Sequence, residues 1–233
     1  MTKNNKERYQ TYSEIKNNYF HGIIKQIIKN ARQEFFVKFK NLTGYNTNNT
    51  VLDIGTTPST DIEQNIFLEN TKDNSNITCL SNQDCSLLKN KYPNVKDFII
   101  GDGKKTNFSD NSFDIVHSNA TIEHVGSYIN QSYFVKECLR ISKKFVFIQT
   151  PNRYYPIDFH TAIPLIHWMP KKIHRKILNL IGLSFYSSEL NLNLMTNNDL
   201  VKICEELKII NFRIIKQKLF FFTSNLILFI EKK

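Results

Sequence analysis

The sequence predicts an α/β protein: a doubly wound, mainly parallel seven-stranded sheet with N-terminal helices before it and an antiparallel hairpin at its end. Three observations carry this. A stripe of apolar residues at helical spacing fills the first 40 residues, short apolar runs alternate with helical stretches from Thr50 onward, and the last two apolar runs lie side by side near the C-terminus. The alternation is the mark of βαβ units on a parallel sheet.

Taken in order, Tyr12, Ile15, Tyr19, Phe20, Ile23, Ile24, Ile27 and Ile28 recur three and four apart, and Phe35, Phe36 and Phe39 extend the stripe. That spacing predicts one or two amphipathic helices over residues 1–49, ahead of the main fold. Leu42-Thr43-Gly44 ends the stripe and Asn46–Asn49 is a polar loop. The main domain then runs from 50 to 233. Its strands are predicted at Val51–Ile54, Ile77–Leu80, Asp97–Ile100, Phe113–Ser118 and Phe145–Gln149, with helices near Asp61–Asn70, Asp84–Lys91, Ile122–Val125 and Gln131–Arg140. Residues 150–185, rich in Pro, aromatic and basic side chains, form a connection longer than an ordinary loop, and insertions of that size carry function. A helix over Asn197–Leu207 precedes two strands, Phe212–Phe222 and Asn225–Glu231, joined by a tight turn.

Composition narrows the partners only partly. The 31 Lys and Arg residues against 21 Asp and Glu give a net charge of +10. Such a charge suits nucleic acid, an anionic lipid surface or an acidic small molecule, and equally a solvated basic face. Cys79, Cys85, Cys138 and Cys204 show neither a CxxC pair nor zinc-finger spacing and are read as reduced thiols. The polar start MTKNNKERYQ lacks a signal peptide's apolar stretch, and Leu219–Ile230 is broken by Thr223-Ser224-Asn225. A cytoplasmic protein without a membrane span is the expectation.

Chemistry enters at the strand ends, where a doubly wound sheet binds its ligands. Val51-Leu52-Asp53-Ile54-Gly55 delivers an acid and a glycine into a turn before a helix. Gly101-Asp102-Gly103 follows the third strand, Phe113-Asp114 opens the fourth, and Ser118-Asn119-Ala120-Thr121-Ile122-Glu123-His124 leaves it. Thr150-Pro151-Asn152-Arg153 leaves the fifth. The ordered series resembles the class I methyltransferases, in particular the type 11 branch, over roughly residues 50 to 230. The resemblance implies a Rossmann-like methyltransferase fold and S-adenosylmethionine (S-adenosyl-L-methionine) as cofactor. It implies that Asp53 and Gly55 line the methionine part, that Asp102 with the Gly103 backbone meets the adenine edge, and that the N-terminal helices close over the cofactor as a lid; Thr56, Thr57, Ser81 and Asn119, at the same strand ends, complete the candidate cofactor set. A carboxylate that accepts from the exocyclic amine beside a backbone N–H that donates to a ring nitrogen is a pairing that selects adenine.

Two positions depart from the family's pattern. Thr57 and Ser59 stand where further glycines are usual, and the second strand ends in Ser81 instead of the acid that holds the ribose. Asp84 either substitutes for that acid or caps the following helix. Transfer from a sulfonium needs in-line positioning and removal of a proton from a hydroxyl or amine acceptor. The candidate catalytic residues are His124, His160 and Glu123, with His124 readable also as a packing residue. His160, His167 and His174 recur every seven residues, but Pro164 and Pro170 would break the helix needed to align them, so no metal is expected. Arg153, Tyr154 and Tyr155 are the candidate substrate-binding residues; Arg153 either grips an anionic group or pairs with Asp158. Ile163–Lys176 mixes apolar and basic residues in a way that suits packing on the sheet or peripheral contact with a membrane surface.

The predicted function is therefore S-adenosylmethionine-dependent methyl transfer to oxygen or nitrogen of a small or lipid- or saccharide-linked acceptor. The alternatives are an inactive module that keeps the cofactor fold, and a nucleic-acid methyltransferase. Against the latter, the Asn/Asp-Pro-Pro-aromatic motif is absent after the fourth strand, and no appended nucleic-acid module is recognisable.

Overall fold

The computed structural model describes residues 19–60 and 64–232, with side chains from residue 30 onward. Tyr12, Ile15 and the Asp61 start of the predicted second helix lie outside the described residues. Among the described residues, helix α1, Tyr19–Thr43, precedes the sheet. There follow β1 (Val51–Ile54), α2 (Ile66–Thr71), β2 (Ile77–Ser81), β3 (Asp97–Ile100), β4 (Phe113–Asn119), α3 (Tyr128–Ile141) and β5 (Ser142–Pro151). The chain then forms α4 (Lys171–Leu180), α5 (Ser184–Ser187), α6 (Asn197–Glu206), β6 (Phe212–Leu219) and β7 (Phe222–Glu231).

The strands make one seven-stranded sheet in the order β3-β2-β1-β4-β5-β7-β6. The first five run parallel, and β7 pairs antiparallel with both β5 and β6. The order reverses beside β1, the switch point where ligand loops gather in such sheets.

Side-chain alternation along the strands builds a core on each face. Leu52, Ile54, Val116, Val146, Ile148 and Leu228 pack with Phe134, Val135 and Cys138 of α3 and Leu200 and Ile203 of α6. Val51, Ile115, Phe147, Ile227 and Phe229 face the other way, onto Phe39 of α1 and Phe67 and Leu68 of α2. Most core strand residues are fully buried, which on transfer grounds is worth about 1.5–3 kcal/mol for each large side chain. The connection after β5 carries a core of its own, Leu178, Tyr186, Leu192 and Leu194.

Several boundaries differ from expectation. The predicted helix over Asp84–Lys91 is a single 3₁₀ stretch, Ser86–Asn90, and Ile122–His124 is likewise 3₁₀. Ser127 caps α3 by accepting from the Asn130 backbone, so that helix starts three residues before Gln131. The hairpin turns at Phe220-Phe221 and not near Thr223-Ser224, because the Thr223 and Ser224 carbonyls accept from Asn152 as the first rungs of β7.

Candidate active site

The turn after β1 is built from the inside. Asp53 is buried with both carboxylate oxygens engaged: Oδ1 lies 2.7 Å from His117 Nδ1 and Oδ2 accepts from Thr56 Oγ1 at 2.8 Å. His117 stacks on Phe67 with ring centroids 3.9 Å apart. Parallel pairing sets Asp53 beside His117, so this buried pair ties β1 to β4 beneath the turn. Gly55 has φ +101°, and a Cβ there would lie 1.9 Å from Thr121 Oγ1. Only glycine fits both demands. The Thr121 hydroxyl, in turn, donates to the Ile54 carbonyl at 3.2 Å.

Where the family pattern has glycines, an asparagine braces the loop. Asn65 Oδ1 accepts from the Thr57 amide at 3.3 Å, and its Nδ2 donates to the Thr57 and Ser59 carbonyls at 3.0 and 2.7 Å. Thr57 Oγ1 is buried without a hydrogen-bond partner. A buried hydroxyl left unpaired costs about 1–3 kcal/mol, so this atom suits a polar group of the cofactor's amino-acid end.

Next along the edge, Ser81 Oγ accepts from the Gln83 amide, and exposed Asp84 accepts from the Ser86 amide at 2.8 Å. Hydrogen bonds from the Ser86 amide and hydroxyl hold the Asp84 carboxyl below its usual range. At the end of β3, Asp102 is 56% exposed and accepts from both the amide and the ammonium of Lys104 at 2.9 Å. A Cβ on Gly103 would meet Ile54 and Phe134 at 2.8 Å, so that glycine lets the loop lie on the core. The Asn119 carbonyl accepts from Thr121. An unpaired buried hydroxyl at one end and an exposed carboxylate at the other are chemically compatible with the polar ends of S-adenosylmethionine.

The ends of β4 and β5 hold a different group of residues. Glu123 is fully buried, and its Oε2 accepts from Thr150 Oγ1 at 2.9 Å. Its Oε1 has no hydrogen-bond partner and lies 3.9 Å from His124 Nε2 and 3.8 Å from His160 Nε2. Burial pushes the Glu123 carboxyl up, although His160 opposes the shift. The two histidines meet at Nε2 to Nε2, 3.1 Å apart. His160 Nδ1 lies 3.1 Å from Asp158 Oδ1, and His124 Nδ1 lies 2.6 Å from the Asn191 carbonyl. Burial lowers the His160 pKa, but the carboxylates of Asp158 and Glu123 outweigh it and hold the imidazole above its ordinary value. Asp158 pays the desolvation cost of burial yet sits at about 2, held there by His160 and by the Thr161 hydroxyl at 2.7 Å.

The substrate candidates separate. Arg153 does not pair with Asp158: its Nε donates to the His167 carbonyl at 3.0 Å and an Nη to the Met169 carbonyl at 2.7 Å. Tyr155 is buried, stacked on Phe159 at 4.9 Å. Tyr154 is exposed and lines a cavity of about 240 Å³ with Asn152, Thr196, Asn198, Lys216 and Thr223. His167 and His174 lie ring to ring at 6.3 Å, apart from the His160 cluster.

Sequence reasoning passed over Asn65, His117 and Asn191, and gave Thr150 no role beyond its place in the motif after β5. Aligning β1 with β4 in parallel register would have set His117 against Asp53; no local signal marks Asn65 or Asn191.

A family model described as a methyltransferase domain matches residues 52–147, from β1 into β5. Among solved structures, the magnesium protoporphyrin IX methyltransferase of Synechocystis PCC 6803 with bound SAH is 14% identical. The match covers 99% of this chain and 94% of that one at a TM-score of 0.57. A Pyrococcus horikoshii OT3 protein, 13% identical, is covered fully in both chains at 0.59. A SAM-dependent methyltransferase from Aquifex aeolicus, 14% identical, covers 90% and 97% at 0.56. No curated protein matches the sequence. The structural likeness is one of fold.

Proposed function

We propose that the chain, whose residues 52–147 match a methyltransferase domain, is a class I S-adenosylmethionine-dependent methyltransferase of the cytoplasm that methylates an oxygen or nitrogen of a small or lipid- or saccharide-linked acceptor. The acceptor sits at the ends of β4 and β5. The observation that carries this reading is the convergence of His160 on Glu123 and His124, which stand two and three residues beyond Thr121, the residue against which Gly55 packs.

When bound, the cofactor supplies a methyl group already activated by its sulfonium. The protein's task is then to hold the acceptor in line and provide the place where its proton is lost. His124 is the accessible member of the cluster, with 27% of its side chain exposed against 13% for His160 and none for Glu123. An acceptor therefore approaches from the His124 side. Tyr154 and the cavity beside Asn152 give the acceptor's body a place to rest. Arg153 acts through the carbonyls it holds, fixing the end of the 3₁₀ turn Ile166–Trp168.

A lipid-linked acceptor is favoured by α4 and its end, where Ile173, Leu180 and Ile181 are exposed beside exposed Lys172 and Lys176. That mixture suits peripheral contact with an anionic surface. No helix among the described residues is long and apolar enough to cross a membrane.

Incubation with S-adenosylmethionine tritiated in its methyl group, against pools of small hydroxylated acids, lipid-linked saccharides and RNA, tests the reading. Label is expected in one of the first two pools, with at least a ten-fold loss for His124→Gln, about 1.4 kcal/mol in the barrier. Label confined to RNA refutes it.

A further inference from the structure

We propose that Glu123, His124 and His160 bind a divalent transition-metal ion of the zinc class through Oε1, Nε2 and Nε2. The argument starts from where hydrogens can be. The Asn191 carbonyl only accepts, so His124 carries its hydrogen on Nδ1, 2.6 Å away. Asp158 Oδ1 already accepts from the His160 backbone amide and Oδ2 from the Thr161 hydroxyl, so the carboxylate faces the ring as an acceptor and His160 carries a hydrogen on Nδ1. When both rings are neutral, each turns an Nε2 lone pair toward the other across 3.1 Å. The buried Glu123 Oε1, without a partner, lies beside both.

Three electron-rich atoms facing one another need a positive charge among them. A single proton on the line between the nitrogens would serve those two atoms and leave Glu123 Oε1 unpartnered. A cation serves all three. Two nitrogens 3.1 Å apart, each about 2.05 Å from a metal, subtend about 98° at it, between the octahedral and tetrahedral angles. The carboxylate oxygen must draw in by roughly 0.5 Å to reach the separation that tetrahedral ligation sets.

The surroundings are those of a ligand set. Asp158 orients His160, the Asn191 carbonyl orients His124, and Thr150 Oγ1 holds the other oxygen of Glu123 at 2.9 Å. Outer partners of this kind fix the tautomer and rotation of metal-bound histidines. Two imidazoles and one carboxylate suit zinc, iron or manganese and disfavour magnesium and calcium, which take oxygen ligands. The expectation of no metal came from His160, His167 and His174; the set found here uses His160 with two residues 36 and 37 positions before it.

Three protein ligands leave a coordination position open, and the partly exposed His124 side is the way in. Resting on the proposed function, the ion would meet the acceptor's hydroxyl there, and the proton that hydroxyl loses passes to solvent as the ion stabilises the oxygen left behind. Metal binding itself does not depend on that reading.

The test is a calorimetric titration of chelator-dialysed protein with zinc chloride, a parallel titration with magnesium chloride, and cobalt(II) substitution followed by visible absorption. Expected are a single equivalent of zinc, tetrahedral-type cobalt bands and no magnesium heat. Glu123→Gln, His124→Gln and His160→Gln should each weaken zinc by ten-fold or more. His124→Gln changes a partly exposed side chain, so it reports on the site even if Glu123→Gln unfolds. S-adenosylmethionine binding is measured on the same samples. No zinc binding by protein that still binds the cofactor overturns the proposal and leaves a shared proton; undiminished zinc binding by folded His124→Gln also overturns it, because the metal then lies elsewhere. Zinc binding without transfer to any acceptor pool would instead count against the proposed function alone.

Discussion

Along the carboxyl edge of the sheet, the ends of β1 to β3 and the ends of β4 and β5 treat their buried polar atoms differently. At β1, the Asp53 carboxylate, the Thr56 hydroxyl and the Asn65 amide are bonded to one another's loops or to β4, and Thr57 Oγ1 alone is left unpaired. At the ends of β4 and β5 and in the connection after β5, Glu123 Oε1, Gln149 Oε1, His167 Nδ1 and His174 Nε2 are all buried without partners. A pre-built cradle and an under-satisfied cluster stand side by side. The first suits a ligand whose shape a whole fold family shares, and the second suits a charge or ligand supplied from outside.

The largest effect expected from breaking this comparison is at Gly55. Gly55→Ala combines a positive φ with a methyl group overlapping Thr121 Oγ1, so it should destabilise the protein by about 3 kcal/mol or more and abolish measurable cofactor binding. Chemical denaturation and calorimetry read both. A mild loss would mean that the cradle is softer than its bonding indicates.

On the other side, Asp158→Ala removes acceptors for the His160 backbone, the His160 ring and the Thr161 hydroxyl, all at a buried site. A cost of about 2–3 kcal/mol in unfolding free energy follows. Cofactor affinity should change by less than about two-fold, since separated sites behave additively. A collapse of both would show the two halves to be one cooperative unit.

How far each half was legible follows from the same difference. The VLDI strand, the Gly55 turn and the Asp102 loop are local patterns, and the structure places them where alternation and turn chemistry put them. Glu123 and His124 were visible as a motif. Their meeting with His160 and with the Asn191 carbonyl spans 36 and 67 residues, and it depends on how the connection after β5 folds back, which no short pattern encodes. The hairpin was misplaced for a related reason: polar Thr223-Ser224-Asn225 looks like a turn, but its groups are used by Asn152 and β6, while Phe220 and Phe221 take the turn at 70% and 92% exposure.

Glu137 fastens the loop after β3 to α3, accepting from the Thr106 amide and hydroxyl at 2.6 and 2.7 Å and from Arg140 at 2.8 Å. Burial opposes its ionisation, yet these bonds hold the carboxyl at about 2, against an ordinary 4.5. Its contribution is present above pH 4.5 and lost as pH falls toward 2. Glu137→Gln should therefore cost about 2 kcal/mol at neutral pH, with wild type and variant converging in that acid window as urea midpoints are compared. Convergence at higher pH would mean that the loop is held by Arg140 through Asp110 instead.

The smallest effect concerns Asp102, where the cradle opens to solvent. Its carboxylate is 56% exposed and already meets both the amide and the ammonium of Lys104. An adenine amine donating to it would exchange water for protein at a half-wet site, and such an exchange yields about 1 kcal/mol where a fully buried one yields up to three. Asp102→Ala should thus weaken S-adenosylmethionine by about five-fold, with unfolding free energy within about 0.5 kcal/mol of wild type because the residue lies in a surface loop. Asp102→Asn retains an acceptor and should recover part of the loss. An unchanged dissociation constant in both variants, with an intact circular dichroism spectrum, would reduce Asp102 to a turn residue. The recognition of adenine would then rest on the backbone around Gly103, and the contrast between the two halves would begin at β1 alone.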